Sequence, residues 1–443
     1  MVDQLTASLY NKLIAEFENT EAAGDVNSDL SVIRKSAFEI FKAKGFPTTK
    51  NEDWKFTNLS PFLKDDFSFV AGQYSEDQII AAINKNLVPG LDAYLLVLVN
   101  GQIQPALSVF PEEKLVSIRS FDSALETSAL KDNAFINEDK NNSLLALNTA
   151  LFNDGYFIEV NRNVVLDKPI QIIHLYTADE NTWYQPRHLI LVDEFAKAEL
   201  IETSVWINND KHVVLNSVTK VSLKENAQLI QYNVQDNNRE ERFINYNQVS
   251  QLQYSRYDNF TFNLPGAELI RNNLEIELNG PSTETHLLGL YLVGSQQLTD
   301  NHTLIHHQFP NSQSNEIYKG VLLENGKAVF NGKVYVERLA QKTNAFQQNN
   351  NLLLSNKAQV FAKPQLEIYA DDVKCSHGCT VGQFDPESLF YLRARGISEE
   401  SARKLLVEAF MFDVTQKIEN EAVKEYVQSL IYNKMENSFS SIV

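Results

Sequence analysis

The most reactive stretch of the chain is Asp371-Asp372-Val373-Lys374-Cys375-Ser376-His377-Gly378-Cys379-Thr380, with two thiols and an imidazole inside five residues. Such soft donors suit zinc or iron, but a closed zinc or iron–sulfur site takes about four of them. This stretch offers three at most, and the other seven histidines are far away in sequence. The residues alone leave two readings. One, which they favour, is a turn with two packed cysteines and a hydrogen-bonded histidine; the other is a half-site that another chain completes.

A second cluster, Asp300-Asn301-His302-Thr303-Leu304-Ile305-His306-His307, would suit a metal if it were helical. Its surroundings read as strand, which puts His302, Leu304 and His306 on one face and Ile305 and His307 on the other. Hydrogen-bonding histidines are the expectation. Asn349-Asn350-Asn351, ahead of Leu352-Leu353-Leu354, suggests a stacked asparagine turn. No phosphate-binding loop is present, since Gly326-Lys327 and Gly332-Lys333 lack its spacing and hydroxyl, and there is no dinucleotide fingerprint or nucleophile elbow. ATP binding and ester hydrolysis by those routes are excluded.

The elements that must position these residues change character twice. From Gln4 to Lys44 the period is helical, with Leu9, Leu13 and Phe17 on one stripe and Ile33, Ala37, Ile40 and Phe41 on a second, stopped by Gly45 and Phe46-Pro47. Strand signals begin at Ala93, and Asn100-Gly101 is the preferred dipeptide of a two-residue hairpin. Short β-branched runs then follow one another, and after about residue 165 no amphipathic helix interrupts them. That excludes an alternating βαβ sheet and leaves a sandwich, a barrel or a β-solenoid. Ala198–Val205 resembles Ala227–Val234, the kind of recurrence that stacked coils require, and tips the choice narrowly to the solenoid. Asp385-Pro386-Glu387-Ser388 then reads as an N-cap, a first-turn proline and an acidic first turn. Beyond Gly396, Ser398 opens a helix with Ala402, Leu405, Leu406, Ala409 and Phe410 as its apolar stripe. The division is residues 1–92 helical, 93–372 solenoid and 373–443 helical.

The formal charge of −18 and a pI near 5.0 repel phosphate backbones and anionic lipids. Neither a nucleic acid nor a membrane is expected as a partner. The longest apolar run, Ala93–Val99, is far short of the ~20 residues a membrane helix needs. Two cysteines do not make a disulfide scaffold, and the first residues carry no signal-peptide pattern. A cytoplasmic protein is expected.

Several linked segments resemble the SufB/SufD family of iron–sulfur cluster assembly proteins: Tyr318-Lys319-Gly320, Ala340–Ala345, Asn351–Ser355, Pro364–Ile368, Ala370–Gly378, Thr380-Val381-Gly382 and Leu389–Ile397. Asn51-Glu52-Asp53-Trp54-Lys55-Phe56-Thr57 is similar to the N-terminal part of the family's SufD branch. The resemblance implies a mostly β protein: a right-handed parallel β-helix flanked by N- and C-terminal helical domains. It also implies a non-catalytic scaffold that pairs with SufB through the β-helices and with a SufC ATPase through its C-terminal helices. A nascent iron–sulfur cluster would be shared transiently with SufB, reduced flavin would act in the complex, and the pairing face would suit a homodimer where SufB is absent. Two differences point away from the SufB branch. No thiol stands in Gln348-Asn349-Asn350-Asn351, where SufB carries its sulfur-accepting cysteine, and Gly378 replaces a glutamate. His377 matches the histidine implicated at the nascent cluster site. Cys375 follows the family pattern, whereas Cys379 stands where the family has a small residue, a packing substitution in preference to an added thiolate. The competing reading is a β-helix carbohydrate-active enzyme, since such folds also host lyases and hydrolases.

Overall fold

The computed structural model describes residues 4–23, 29–125, 142–152, 155–207, 210–236 and 240–439. Helices α1 (Gln4–Ala23), α2 (Asp29–Lys44) and α3 (Glu76–Asn86) precede a hairpin, β1 (Tyr94–Val99) and β2 (Gln102–Ile103). Its two turn residues, Asn100 and Gly101, both have positive φ, as a turn that continues the strand twist demands. β3 (Val116–Ser120), α4 (Phe121–Leu125), α5 (Ser143–Leu151) and β4 (Tyr156–Val160) follow.

From there the chain coils. β5 (Ile170–Tyr176), β6 (Thr182–Tyr184), β7 (Arg187–Val192), β8 (Lys197–Trp206), β9 (Val213–Leu223), β10 (Gln228–Gln235), β11 (Glu241–Gln251) and β12 (Arg256–Asn263) come first. β13 (Leu269–Leu278), β14 (Glu284–Val293), β15 (Leu298–His307), β16 (Gln313–Leu322), β17 (Lys327–Val336), β18 (Asn344–Leu353), β19 (Gln359–Ile368) and β20 (Lys374–Gly382) complete the stack. The strands build two ten-stranded sheets, and from β7 onward successive strands alternate between them, each pairing in parallel with the next but one. This is a β-solenoid. The similar segments at Ala198 and Ala227 are stacked neighbours, but the pairing sets Leu229 beside Ala198 and Gln231 beside Leu200. The register is thus two residues from the sequence match, a slip that leaves every side chain on its own face.

One corner of each coil is turned by a residue with positive φ: Asn163, Phe195, Asn226, Tyr254, Ser282, Asn311 and Lys342. Each donates its N–H to a carbonyl one coil onward, from Asn163 to Glu194 through to Lys342 to Asp372. That ladder satisfies the corner backbone, which offsets the cost of the left-handed conformation in non-glycine residues.

Three cores result. The solenoid interior packs Ile172, Leu200, Leu229, Tyr257, Leu287, Tyr291, Tyr318 and Phe330. On the outside of one sheet, Leu9, Leu13, Phe17, Phe38, Phe41 and α5 pack against Val214, Val218 and Ile244. Ile33 and Ile40 are only half-buried, so Phe38 and Phe41 carry the inner face of α2. Arg271, fully buried, stacks over Trp54 at 4.4 Å and donates to the carbonyl of Asp53 (2.9 Å), while Thr57 and Arg271 both bond Asp300. The Asn51–Thr57 motif therefore docks the N-terminal segment on the solenoid flank.

The strand β20 extends the solenoid to Gly382, past residue 372, and the C-terminal helices α6 (Pro386–Ala394), α7 (Glu399–Thr415) and α8 (Glu421–Phe439) come after it. Asp385 caps α6 by accepting from the N–H groups of Glu387 and Ser388, with Pro386 in its first turn. On α7 the inner row is Ala402, Val407, Met411 and Val414; Leu405 and Ala409, expected inside, face out. Val407, Met411 and Val414 pack with Phe260, Leu288, Leu290 and Val321 of the second sheet. Lys319 clamps the contact, donating to the Phe410 carbonyl (2.7 Å) and pairing with Asp413. Among the described residues no helix is long and apolar enough to cross a membrane.

Candidate functional site

The Cys375–Cys379 stretch is not a turn: it lies within β20, the last strand of its sheet. Strand alternation puts Cys375, His377 and Cys379 on one face, in register with Ala345, Gln347 and Asn349 of β18. Those three are buried inward-facing residues, so the two thiols and the imidazole form the last step of the solenoid's inward row. Here the row is open: Cys375 is half-buried, and His377 and Cys379 are exposed. Burial nonetheless pushes both thiols above their usual range, against a backbone hydrogen bond in the case of Cys375, so they are thiols and not ready thiolates.

Alternate residues on a strand are ~6.6 Å apart on one face, a spacing from which two side chains can reach one ion but which leaves the rest of its shell to be supplied from elsewhere. Accordingly, no group of three His, Cys, Asp or Glu among the described residues is placed to hold a metal. The stretch supplies part of a coordination sphere at most. His302 and His306 lie outward on β15 and His307 inward, as strand alternation predicts. His302 bonds Asp300 (3.1 Å), His306 lies between Glu277 (2.9 Å) and Glu337 (3.3 Å), and His307 contacts the Ser314 hydroxyl (2.9 Å). Their roles are hydrogen bonding.

Behind the exposed row is a polar column that sequence reasoning missed. Glu316, fully buried on β16, accepts from the Thr303 hydroxyl (2.6 Å) and from Gln347 Nε2 (2.7 Å). Burial raises its carboxyl to about 7 despite those two donors. Asn349-Asn350-Asn351 is likewise no turn but the middle of β18. Asn349 Nδ2 donates to the Tyr291 hydroxyl (2.9 Å), and Asn351 Nδ2 to Asn349 Oδ1 (2.7 Å). Buried amides need partners, here a carboxyl, a hydroxyl and each other; the signal for this was the recurrence of Gln347, Asn349 and Asn351 at a spacing of two, readable only once the strand is known.

At the same end both sheets stop, at β19 and β20, with no further strand among the described residues. Phe346, Phe361, Ile368, Tyr369 and Val381 are exposed there. A second exposed apolar face lies across α7 and α8, where Leu405, Phe412 and Tyr432 line a hollow of about 650 Å³.

Two family models match the chain. That for the SUF system FeS cluster assembly SufBD core domain spans residues 174–410, and that for the SufBD protein N-terminal region spans residues 6–172. The chain belongs to the SufBD family of iron–sulfur cluster assembly proteins. It is 32% identical over 434 residues to a SufBD family protein of Synechocystis, covering 94% of this chain and 95% of that one. It is 32% identical over 397 residues to the iron–sulfur cluster assembly protein SufD of Escherichia coli, covering 88% and 90%. To SufD of Bacillus subtilis it is 28% identical over 401 residues, covering 87% and 89%. SufBD membership takes the place of the carbohydrate-enzyme reading. The family's N-terminal model reaches residue 172, well beyond residue 92, and so includes the hairpin and the first strands of the stack.

Proposed function

We propose that this SufBD chain is the SufD-type scaffold of a cluster-assembly complex, without catalytic turnover of its own. Its open solenoid end pairs with a SufB-type subunit, and the outer face of α7 and α8 receives a SufC-type ATPase. The nascent iron–sulfur cluster is the cargo at the first interface, with His377 contributing an imidazole and the SufB-type chain the thiolate and carboxylate donors.

The observation that carries this reading is the placement of Cys375, His377 and Cys379 in one open row on a terminal strand, the last two exposed. An unpaired sheet edge presents backbone donors and acceptors to a partner strand, and the exposed aromatic residues around it would be covered by the same pairing. Soft ligands at that edge are incomplete alone and are completed by a second chain. None of the three lines the apolar hollow on α7 and α8, which leaves that hollow for a second partner.

The test is co-expression with SufB-type and SufC-type chains, anaerobic purification and a visible absorption spectrum. A stable complex with sulfide-to-iron charge-transfer bands, absent from the chain purified alone, is expected. A folded chain that binds neither partner contradicts the reading.

A further inference from the structure

Each residue of the inward row continues a column through the coils. The column that ends at His377 runs Glu316, Gln347, His377, each in register with the next. Gln347 is 2% exposed, and its amide is oriented by its contacts. Thr303 donates to Glu316 Oε1 and Gln347 Nε2 to Glu316 Oε2, so the amide presents its nitrogen to Glu316. That nitrogen is confined as well: a Cβ on Gly332 of β17 would lie 2.3 Å from Gln347 Nε2. A glycine across the interior therefore makes the room that this side chain occupies.

The consequence is an orphan. Gln347 Oε1 is buried and has no hydrogen-bond partner. Leaving a carbonyl oxygen buried and unpaired is costly, and a donor at this open edge would relieve it. The residue in register on the exposed side is His377, whose ring N–H is the strongest donor of its row; Cys375 and Cys379 have only weak S–H donors.

We propose that Gln347, held by Glu316, is the positioning residue for His377: its carbonyl accepts the N–H of one ring nitrogen and leaves the other nitrogen unprotonated for a soft metal centre. This rests on the role proposed above for His377. Histidine ligands generally donate their second nitrogen to a fixed acceptor, which selects the tautomer and the ring orientation, and losing that acceptor costs metal affinity. Because Glu316 and Thr303 lie one coil deeper, the acceptor is fixed by the solenoid interior and not by the partner chain.

The experiment labels the histidine rings of this chain with 15N, assembles the cluster-free complex with its SufB-type and SufC-type partners, and records magic-angle-spinning 15N spectra. His377 is assigned by its loss in His377→Ala. In Gln347→Leu the tautomer ratio of His377 is expected to change about threefold or more, and the iron–sulfide absorbance on later reconstitution to fall about 10-fold, with complex yield unchanged. Gly332→Ala, which displaces the same amide from the opposite sheet, is expected to act in the same direction and serves where Gln347→Leu does not fold. An unchanged tautomer ratio in both variants overturns the proposal, even if cluster yield falls, because that pattern marks a packing effect. A changed ratio with full cluster yield overturns it too. If His377→Ala itself gives full cluster yield, the ligand role of His377 fails, which is a different result from failure of Gln347.

Discussion

Replacing Glu316 by Gln should change how stability depends on pH, and the size of the change follows from where the carboxyl sits. The group is fully buried and its carboxyl is raised from 4.5 to about 7 by burial, with Thr303 and Gln347 opposing the rise. A raised carboxyl binds its proton more tightly folded than unfolded. Its contribution to stability is therefore fully present below pH 4.5 and is lost as pH rises through about 7. At 1.36 kcal/mol per unit, the loss is about 3 kcal/mol between those limits, as an order of magnitude. An uncharged amide at the same place carries no such dependence. Urea unfolding of wild type and Glu316→Gln at about pH 5.5 and about pH 8.5 is the assay, read as the difference between the two proteins at each pH. The variant is expected to be the less stable of the two at the lower pH, where it loses a well-bonded neutral carboxyl, and to gain about 2–3 kcal/mol relative to wild type on going to the higher. Parallel pH profiles for the two proteins would refute the reasoning, because the carboxyl would then be titrating alike in the folded and unfolded chains.

Gly320→Ala should destabilise the chain by about 1–3 kcal/mol in the same urea assay, since the added Cβ would lie 2.0 Å from the Tyr291 ring inside a closed core. Asp385→Ala should cost about 1 kcal/mol and speed amide exchange in the first turn of α6, leaving exchange in the solenoid unaltered, because only the cap on Glu387 and Ser388 is lost. Phe412→Asp, half exposed on α7, should weaken binding of the SufC-type partner about 10-fold or more in calorimetry while sparing the pairing with the SufB-type partner.

What was legible in the sequence was local. Asn100-Gly101 and Asp385-Pro386 announce a hairpin and a helix start because each needs only its own backbone and its immediate neighbours. Strand alternation alone placed His302, His306 and His307 correctly about β15. The register of the solenoid was hidden for a physical reason. Its corners are turned by asparagine, phenylalanine, tyrosine, serine and lysine alike, since the hydrogen bond from coil to coil, and not the side chain, holds each one. No motif marks them. The spacing puts Leu405 in the core because apolar periodicity cannot tell a face that packs on its own chain from one left exposed. Asn349 and Asn351 read as turn residues because asparagines favour turns, whereas here Asn351 bonds Asn349, and Asn349 the Tyr291 hydroxyl two coils back, inside the solenoid. For the candidate site, Cys375, His377 and Cys379 were found from their types. That they share one face at an open end, and that Gln347 and Glu316 stand behind His377, required the pairing of β16, β18 and β20.

The most direct test of the scaffold role compares wild type with His377→Ala in the complex with SufB-type and SufC-type partners, purified without oxygen and examined by visible absorption and iron content. The two complexes are expected to form in equal yield, with iron–sulfide bands in the wild type and not in the variant. Equal bands and equal iron in both would contradict the claim that the open end of this solenoid helps to hold the nascent cluster.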